Sequence, residues 1–146
     1  MLKNALIEIF ERDLRQVARE ISLYANESDL WVVKAEISNS AGNLCLHLIG
    51  NLNHFIGAVL GKTGYVRERD KEFSDKNVPR ADMLAQLEKT IAVVTDALRN
   101  LPDSAMNEDF PVDKRGQIVK TDFMLLHLLG HLSYHLGQIN YHRRLI

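Results

Sequence analysis

The sequence predicts an all-α protein, a four-helix bundle with two long connections. Apolar residues recur every three or four positions in four separate segments, as they do on one face of a helix. Two polar segments containing glycine or proline separate the second, third and fourth of these helices. Because 146 residues is the length of one domain, we expect residues 1–146 to fold as a single unit.

The first predicted helix begins at Leu2 and is amphipathic. Its charged residues fill the face opposite to an apolar stripe. That stripe consists of Leu2, Leu6, Ile9, Phe10, Leu14, Val17, Ile21 and Tyr24. Polar residues 26–29 end the pattern, and residues 31–33 form an apolar connector.

The second predicted helix runs to about Leu60, and Ser38, Asn39 or Ser40 can cap its N-terminus. Residues 42–57 carry too few charges for a solvated helix. We therefore expect this helix to be largely buried.

The third predicted helix follows residues 61–78, which are polar and punctuated by glycine and so predict a long loop. Pro79 suits the first turn of this helix, because a proline there loses no helical hydrogen bond. The helix ends near Asn100, since Pro102 cannot continue it.

The fourth predicted helix follows a second connection, residues 103–120, in which Gln117–Lys120 can form a short extended piece. Thr121 is expected to cap the helix, which runs from Asp122 to about Arg143. An acid at its start and arginines at its end both complement the helix dipole.

Residues 47–57 and 127–137 resemble each other weakly, and each contains two glycines seven positions apart. The pairs are Gly50 and Gly57 on the second helix, and Gly130 and Gly137 on the fourth. Glycines on one face let two helix backbones approach closely. These faces suit packing within the chain and contact between two copies equally well.

Composition and charge exclude several classes of protein. The chain is 46% apolar and 25% charged, as in an ordinary folded protein, and its net charge of −1 predicts neither nucleic acid nor a membrane surface as partner. Its apolar stretches are broken before the roughly 20 residues of a membrane span.

Cys45 is the single cysteine. It is expected in the core, and an intrachain disulfide is excluded because there is no second cysteine. Charges soon after Met1 exclude a signal peptide, so a cytoplasmic location is predicted.

The six histidines are clustered. Four of them, His127, His131, His135 and His142, lie in the last 20 residues, and the other two, His47 and His54, lie on the second helix. Histidines four positions apart share a helix face and are separated by about 6 Å along the axis, so their rings can converge on one ion. The pair His131 and His135 meets this condition, as does the pair His127 and His131.

A third imidazole from another helix would complete a tripod that leaves one or more coordination positions open, as in catalytic metal sites. His47 is the expected third ligand, whereas His54 lies about 10 Å further along the axis. We expect His142 to be solvated. The alternative is that buried histidines pair with carboxylates or backbone carbonyls; Asp122 is the only carboxylate of the fourth helix, which favours metal.

The segment Arg67–Phe73 is rich in charge. Its arginines could meet an anionic substrate group beside the metal, because guanidinium binds carboxylates in a fork. We favour the alternative, a solvated loop whose charges pair loosely. Asn51 and Tyr134 neighbour predicted ligands in sequence, but each could point elsewhere on its helix.

Three motifs stand in a specific order along the chain: HLIGNL at His47–Leu52, RERDKEF at Arg67–Phe73 and HLSYHLGQI at His131–Ile139. Together they resemble the DinB/YfiT-like superfamily over almost the whole chain. The closing pattern, His-x3-His-x-Gly-Gln-Ile, is the most specific part. Within that superfamily, the sequence is most similar to a branch of uncharacterised bacterial proteins.

The resemblance implies a four-helix bundle, often a homodimer, with a three-histidine site that commonly holds nickel or zinc. The corresponding residues are His47, His131 and His135, whereas the internal similarity would have paired His47 with His127. Some members are glutathione-, mycothiol- or bacillithiol-dependent transferases and isomerases. Many have no assigned activity, so the resemblance does not select a reaction.

The leading prediction is a metal-dependent enzyme, a thiol-dependent S-transferase or a hydrolase, that acts on a small molecule or a low-molecular-weight thiol. The ion would activate a bound water or thiol. No residue stands out as a general base, and His54 and His127 are the only candidates. The alternative is a non-catalytic dimeric bundle that binds a metal or another ligand.

Overall fold

The computed structural model describes residues 1–146, and its regular elements are helical. The α-helices are α1 (Leu2–Leu23), α2 (Ala41–Leu52), α3 (Arg69–Ser74), α4 (Arg80–Asn100) and α5 (Thr121–Leu145). Helix α2 continues into a π-helical segment, Asn53–Leu60, and 3-10 helices occupy Glu27–Trp31 and Asp103–Asn107. The all-α prediction is confirmed, and the four long helices lie where the apolar periodicity predicted them.

The long helices pack around one contiguous apolar cluster. Helix α1 packs mainly against α4 and α5, while α2 packs against α3, α4 and α5. On α1 the residues that face the cluster are completely or almost completely buried, and they follow the predicted stripe: Leu6, Phe10, Leu14, Val17 and Ile21. The spacing of apolar residues therefore predicted the inner face of this helix correctly.

Helix α2 is the most buried of the long helices. Ser40 caps it, because its hydroxyl oxygen accepts a hydrogen bond of 3.1 Å from the amide of Asn43. Cys45 is fully buried, which confirms its place in the core, and burial raises the pKa of its thiol to about 12. By length and composition alone, Ala41–Leu60 could span a membrane, but 61% of its most apolar stretch is buried within the fold, as in a core helix.

The first long connection contains a helix that the sequence did not predict. Helix α3 is six residues long, too short to display an apolar periodicity. The side-chain amide of Asn43 holds it against α2 by donating to the carbonyl oxygens of Glu72 and Asp75, each at 2.9 Å. Part of a predicted loop is thus a fixed element.

Some predicted helix ends need small corrections. Pro79 occupies the N-cap position of α4 rather than its first turn. Thr121 is the first residue of α5 and its hydroxyl donates to the carbonyl of Glu108, so it does not cap the helix. In the second connection, Gln117–Lys120 forms isolated bridges but no strand.

His142 is buried, which contradicts the prediction that it is solvated. Its side chain lies under the segment that follows α1, and the residue is only 8% exposed. Its Nε2 atom donates to the carbonyl of Val32 at 2.8 Å, and its Nδ1 atom accepts from the hydroxyl of Tyr24 at 2.6 Å. Both partners lie more than a hundred residues earlier in the chain, so the local sequence did not reveal them.

The glycine faces of the two helices have different surroundings. A Cβ atom at Gly50 would clash with the Glu72 carboxylate, and one at Gly57 would lie 2.9 Å from Val93 Cγ1. At Gly130 and Gly137 a Cβ atom would meet nothing within 4 Å. The expected close approach therefore occurs along α2, whereas the glycines of α5 face outward.

Candidate metal centre

The side chains of His47, His131 and His135 converge between α2 and α5. The Nε2 atom of His131 lies 3.0 Å from that of His47 and 3.1 Å from that of His135. One ring nitrogen from each of the three residues lies within 4.8 Å of those of the other two. His47 is buried, and the two histidines of α5 are partly exposed.

The helices produce this convergence in a simple way. His131 and His135 are one turn apart on α5, so their rings stack on the same face. Helix α2 packs against that face and contributes His47 from the opposite side. The structure thus brings together the same three residues that the sequence analysis selected.

A buried carboxylate orients the ring of His47. The Nδ1 atom of His47 lies 2.9 Å from Oε1 of Glu72, which is only 6% exposed. Because an ionised carboxylate can only accept, Nδ1 carries the hydrogen and donates it. The lone pair of His47 is then on Nε2, the atom that points into the cluster.

Arg67 keeps Glu72 ionised. Its Nε atom donates to Glu72 Oε2 at 2.8 Å, and its Nη2 atom donates to Oε1 at 2.9 Å, so the guanidinium binds the carboxylate in a fork. Burial would raise the pKa of Glu72, but the hydrogen bonds from His47 and Arg67 outweigh burial and lower it below the usual value. Glu72 is therefore charged and acts only as an acceptor.

Gln138 orients the ring of His135. The side-chain oxygen of Gln138 lies 2.7 Å from the Nδ1 atom of His135, which therefore donates the hydrogen. The lone pair of His135, like that of His47, is then on the Nε2 atom that faces His131. Two of the three rings are fixed in the tautomer required of metal ligands that bind through Nε2.

His131 lies between the other two rings and is difficult to protonate. Burial, together with the neighbouring His135 and His47, lowers its pKa to about 4. Its Nδ1 atom is buried without a hydrogen-bond partner, as is the side-chain oxygen of Asn51 on α2. At neutral pH this ring is uncharged and able to act as a ligand.

The cluster fits a divalent cation better than a proton. A hydrogen on Nε2 of His131 can point to the Nε2 atom of His47 or to that of His135, but not to both. The lone pair of the remaining Nε2 atom then faces Nε2 of His131 at about the same distance, with no hydrogen between them. Tetrahedral zinc–nitrogen bonds of about 2.0–2.1 Å separate their ligand atoms by about 3.3 Å. This is close to the 3.0 and 3.1 Å that separate Nε2 of His131 from those of His47 and His135. The three histidines could therefore hold a metal ion.

Arg67, Glu72 and Phe73 are part of this site, so the favoured prediction of a loosely paired, solvated loop is wrong for these residues, whereas residues 68–71 are exposed. Glu72 is buried, Arg67 is partly buried, and the two are bound to each other. The ring of Phe73 packs against that of His47 at 4.8 Å. The guanidinium of Arg67 binds Glu72, which in turn orients His47. Arg67 therefore supports a predicted metal ligand, whereas the alternative prediction was that it contacts a substrate.

His54 and His127 are not part of the three-histidine cluster. His54 lies in the π-helical continuation of α2, where its ring contacts Phe55 at 4.7 Å. His127 is exposed on α5, one turn before His131. Tyr134 is also exposed, although its ring lies 5.4 Å from that of His135.

The sequence analysis gave no role to Glu72 or Gln138. Gln138 was part of the most specific motif, and its position three residues after His135 places it on the same helix face. For Glu72, the only available signal was Gly50, three residues after His47, which marks a place where another group can come close to α2. The identity of that group depends on how α3 folds back, which no local pattern showed.

A family model described as "Protein of unknown function (DUF1572)" matches residues 2–146. A search of curated proteins found no match.

Replacing Gly50 with alanine is expected to displace Glu72 and to lower the free energy of unfolding by about 1–3 kcal/mol, because buried charged hydrogen bonds are disrupted. Gly130→Ala is the matched control. It lies in open space on α5, where alanine should raise the free energy of unfolding by about 0.5–1 kcal/mol. Urea denaturation measures both effects. A stabilising effect of alanine at both positions would contradict the proposed packing of Glu72 on α2.

Proposed function

Because the chain belongs to the DUF1572 family, whose description assigns no function, we propose its function from the geometry of the histidine cluster. The proposed function is that of a metal-dependent enzyme with one divalent ion held by His47, His131 and His135. The observation that carries the proposal is the convergence of three Nε2 atoms. That of His131 lies 3.0 Å from that of His47 and 3.1 Å from that of His135.

The nature of the ligands favours nickel or zinc. Neutral imidazole nitrogens suit these ions, whereas calcium and magnesium prefer oxygen ligands. Glu72 and Gln138 accept hydrogen bonds from the Nδ1 atoms of His47 and His135, so both Nε2 atoms are available as ligands. When bound, such an ion lowers the pKa of a coordinated water or thiol and polarises an electrophile.

We propose the DinB/YfiT-like superfamily, with its four-helix bundle, as the wider relationship. The motif around His131 and His135 and the order of the four long helices support it. Two reaction classes follow from this relationship: transfer involving a low-molecular-weight thiol, and hydrolysis. Glu72, the carboxylate beside the cluster, is bound by His47 and Arg67, so it is not free to act as a general base in either reaction.

The alternative is a non-catalytic bundle that binds a metal or another ligand. One observation favours it: a single hydrogen on Nε2 of His131 would give that ring one hydrogen bond, to His47 or to His135, without any metal. Under this alternative, the histidines stabilise the packing of α2 against α5.

We also propose a homodimer, which the outward face of α5 supports. Three large apolar or aromatic residues on this face are between 50% and 66% exposed: Phe123, Leu126 and Tyr134. At 100° per residue they form one stripe, and Gly130 and Gly137 lie within it. A cytoplasmic location and a lack of contact with membranes or nucleic acid stay predictions.

The parent protein is expected to bind roughly one nickel or zinc ion per chain. His131→Ala should abolish this binding, while His54→Ala and His127→Ala, which remove histidines of the same helices outside the cluster, should retain it. Metal analysis of untagged protein measures occupancy. A hundredfold excess of metal over its Kd should stabilise the parent by about 2.7 kcal/mol and leave His131→Ala unchanged. Equal occupancy in all four proteins would rule out this site.

Activity is tested on the same proteins. The parent and His135→Ala are compared in screens of low-molecular-weight thiols with electrophilic substrates, and of simple esters and amides. Turnover that requires metal and is lost in His135→Ala would support the enzyme proposal. Equal rates would remove the metal from catalysis, and stoichiometric metal without turnover would favour the non-catalytic bundle.

Glu72→Gln is expected to weaken metal binding about 10–100-fold, because Arg67 and His47 both lose the charged acceptor between them. Glu68→Gln is the matched control. Glu68 is exposed and pairs only with Lys71, so this change should leave the affinity unaltered. Competition with a chelator measures the Kd. If the two variants bind metal equally well, Glu72 does not support the site.

Leu126→Glu is expected to convert the parent dimer to monomer, because it places a charge within the apolar stripe of α5. Ile118→Glu is the control, since Ile118 is 70% exposed but lies in the second connection. Sedimentation across a concentration series measures the mass. A parent that stays monomeric throughout would contradict the proposed dimer.

A further inference from the structure

A cleft of about 530 Å³ lies beside the histidine cluster. One wall is formed by residues 34–39, the connector that leads into α2. The opposite wall is the C-terminal part of α5 from His135 onward, and Leu44 of α2 completes the lining. Three separate parts of the chain therefore surround the cleft.

His135 belongs both to the lining of the cleft and to the candidate metal centre. Gln138 also lines the cleft, and its side-chain oxygen accepts a hydrogen bond from Nδ1 of His135. The amide NH2 group of Gln138 makes no hydrogen bond within the chain, so it can donate to a molecule in the cleft. The other large concave regions, including the groove of about 600 Å³ next to Tyr134, contain none of the three histidines.

The lining determines the kind of molecule that fits. Most of its surface is carbon, from Ile37, Leu44 and Tyr141 among others. The connector contributes one cation, Lys34, and one anion, Glu36, so it carries no excess charge that would attract a polyanion. The ring nitrogens of His142 are already used by Tyr24 and Val32, so His142 contributes only surface.

We propose that this cleft binds the substrate of the three-histidine centre, and that the substrate is a small organic molecule with an apolar body and an oxygen, nitrogen or sulfur donor at one end. The volume lies within the range of about 300–1,000 Å³ that is typical of small-molecule sites. The donor end lies toward His135 and the apolar body between Ile37 and Tyr141. This inference rests on the proposed metal site.

Two hydroxamates serve as probes of the nickel-loaded protein. Acetohydroxamate and benzohydroxamate share a metal-binding head and differ in the apolar body, and calorimetry gives the Kd of each. Ile37→Asp is expected to weaken benzohydroxamate about tenfold, because the phenyl group loses its apolar contact, and to change acetohydroxamate less than about twofold. Val33→Asp is the control: Val33 is exposed to a similar extent and directly precedes this connector, but it does not line the cleft.

A second pair of variants tests the opposite wall. Tyr141→Ala should reproduce the selective loss of benzohydroxamate, and Tyr134→Ala, an equally exposed tyrosine of α5 outside the cleft, should not. If benzohydroxamate binding is unchanged in Ile37→Asp and Tyr141→Ala while nickel loading is normal, the cleft proposal is overturned and the metal site stands. If the parent does not load nickel or zinc, the proposed function fails first, and the cleft as its substrate site fails with it.

Discussion

The hydrogen-bonded chain from Arg67 through Glu72 to His47 is the interaction on which the rest of the site depends. A carboxylate as buried as Glu72 costs several kcal/mol unless it is paired and hydrogen-bonded. Arg67 supplies the opposite charge through two hydrogen bonds, and His47 donates a third. The pair is neutral overall, yet it fixes the hydrogen of His47 on Nδ1. A simple ion pair thereby determines which nitrogen of His47 faces the cluster.

That chain of bonds also explains features of the backbone. Glu72 reaches His47 only because α3 folds onto α2, where Asn43 holds two of its carbonyl groups. The carboxylate fits there because position 50 is glycine and has no Cβ atom to occupy the same space. A short helix, a buried amide and a glycine therefore serve one purpose, which is to deliver a charged acceptor to a histidine. Of these three, only Gly50 was a signal in the sequence, and it did not identify the group that approaches it.

The sequence predicted the long helices and the histidines of α5 well, because both depend on local periodicity. Apolar spacing located the inner face of α1, and a four-residue spacing placed His131 and His135 on one face. Helix geometry already made His47 the expected third ligand, and the resemblance to a known superfamily selected His131 and His135 as its partners over a pair that includes His127. The prediction failed at His142, whose partners lie more than a hundred residues away, and at Glu72, whose contact with His47 depends on how α3 folds onto α2. Residue spacing carries no information on such contacts.

The two outer histidines make the cluster hard to explain by a proton alone. Glu72 and Gln138 each accept an Nδ1 hydrogen, so the Nε2 atoms of His47 and His135 both offer lone pairs. His131 can give one hydrogen to one of them, and the surroundings that lower its pKa to about 4 oppose a second. One lone pair then always faces another nitrogen without a hydrogen between them. A cation bonded to all three would remove that repulsion, and acceptors on the far side of both outer rings leave each Nε2 atom available to such an ion.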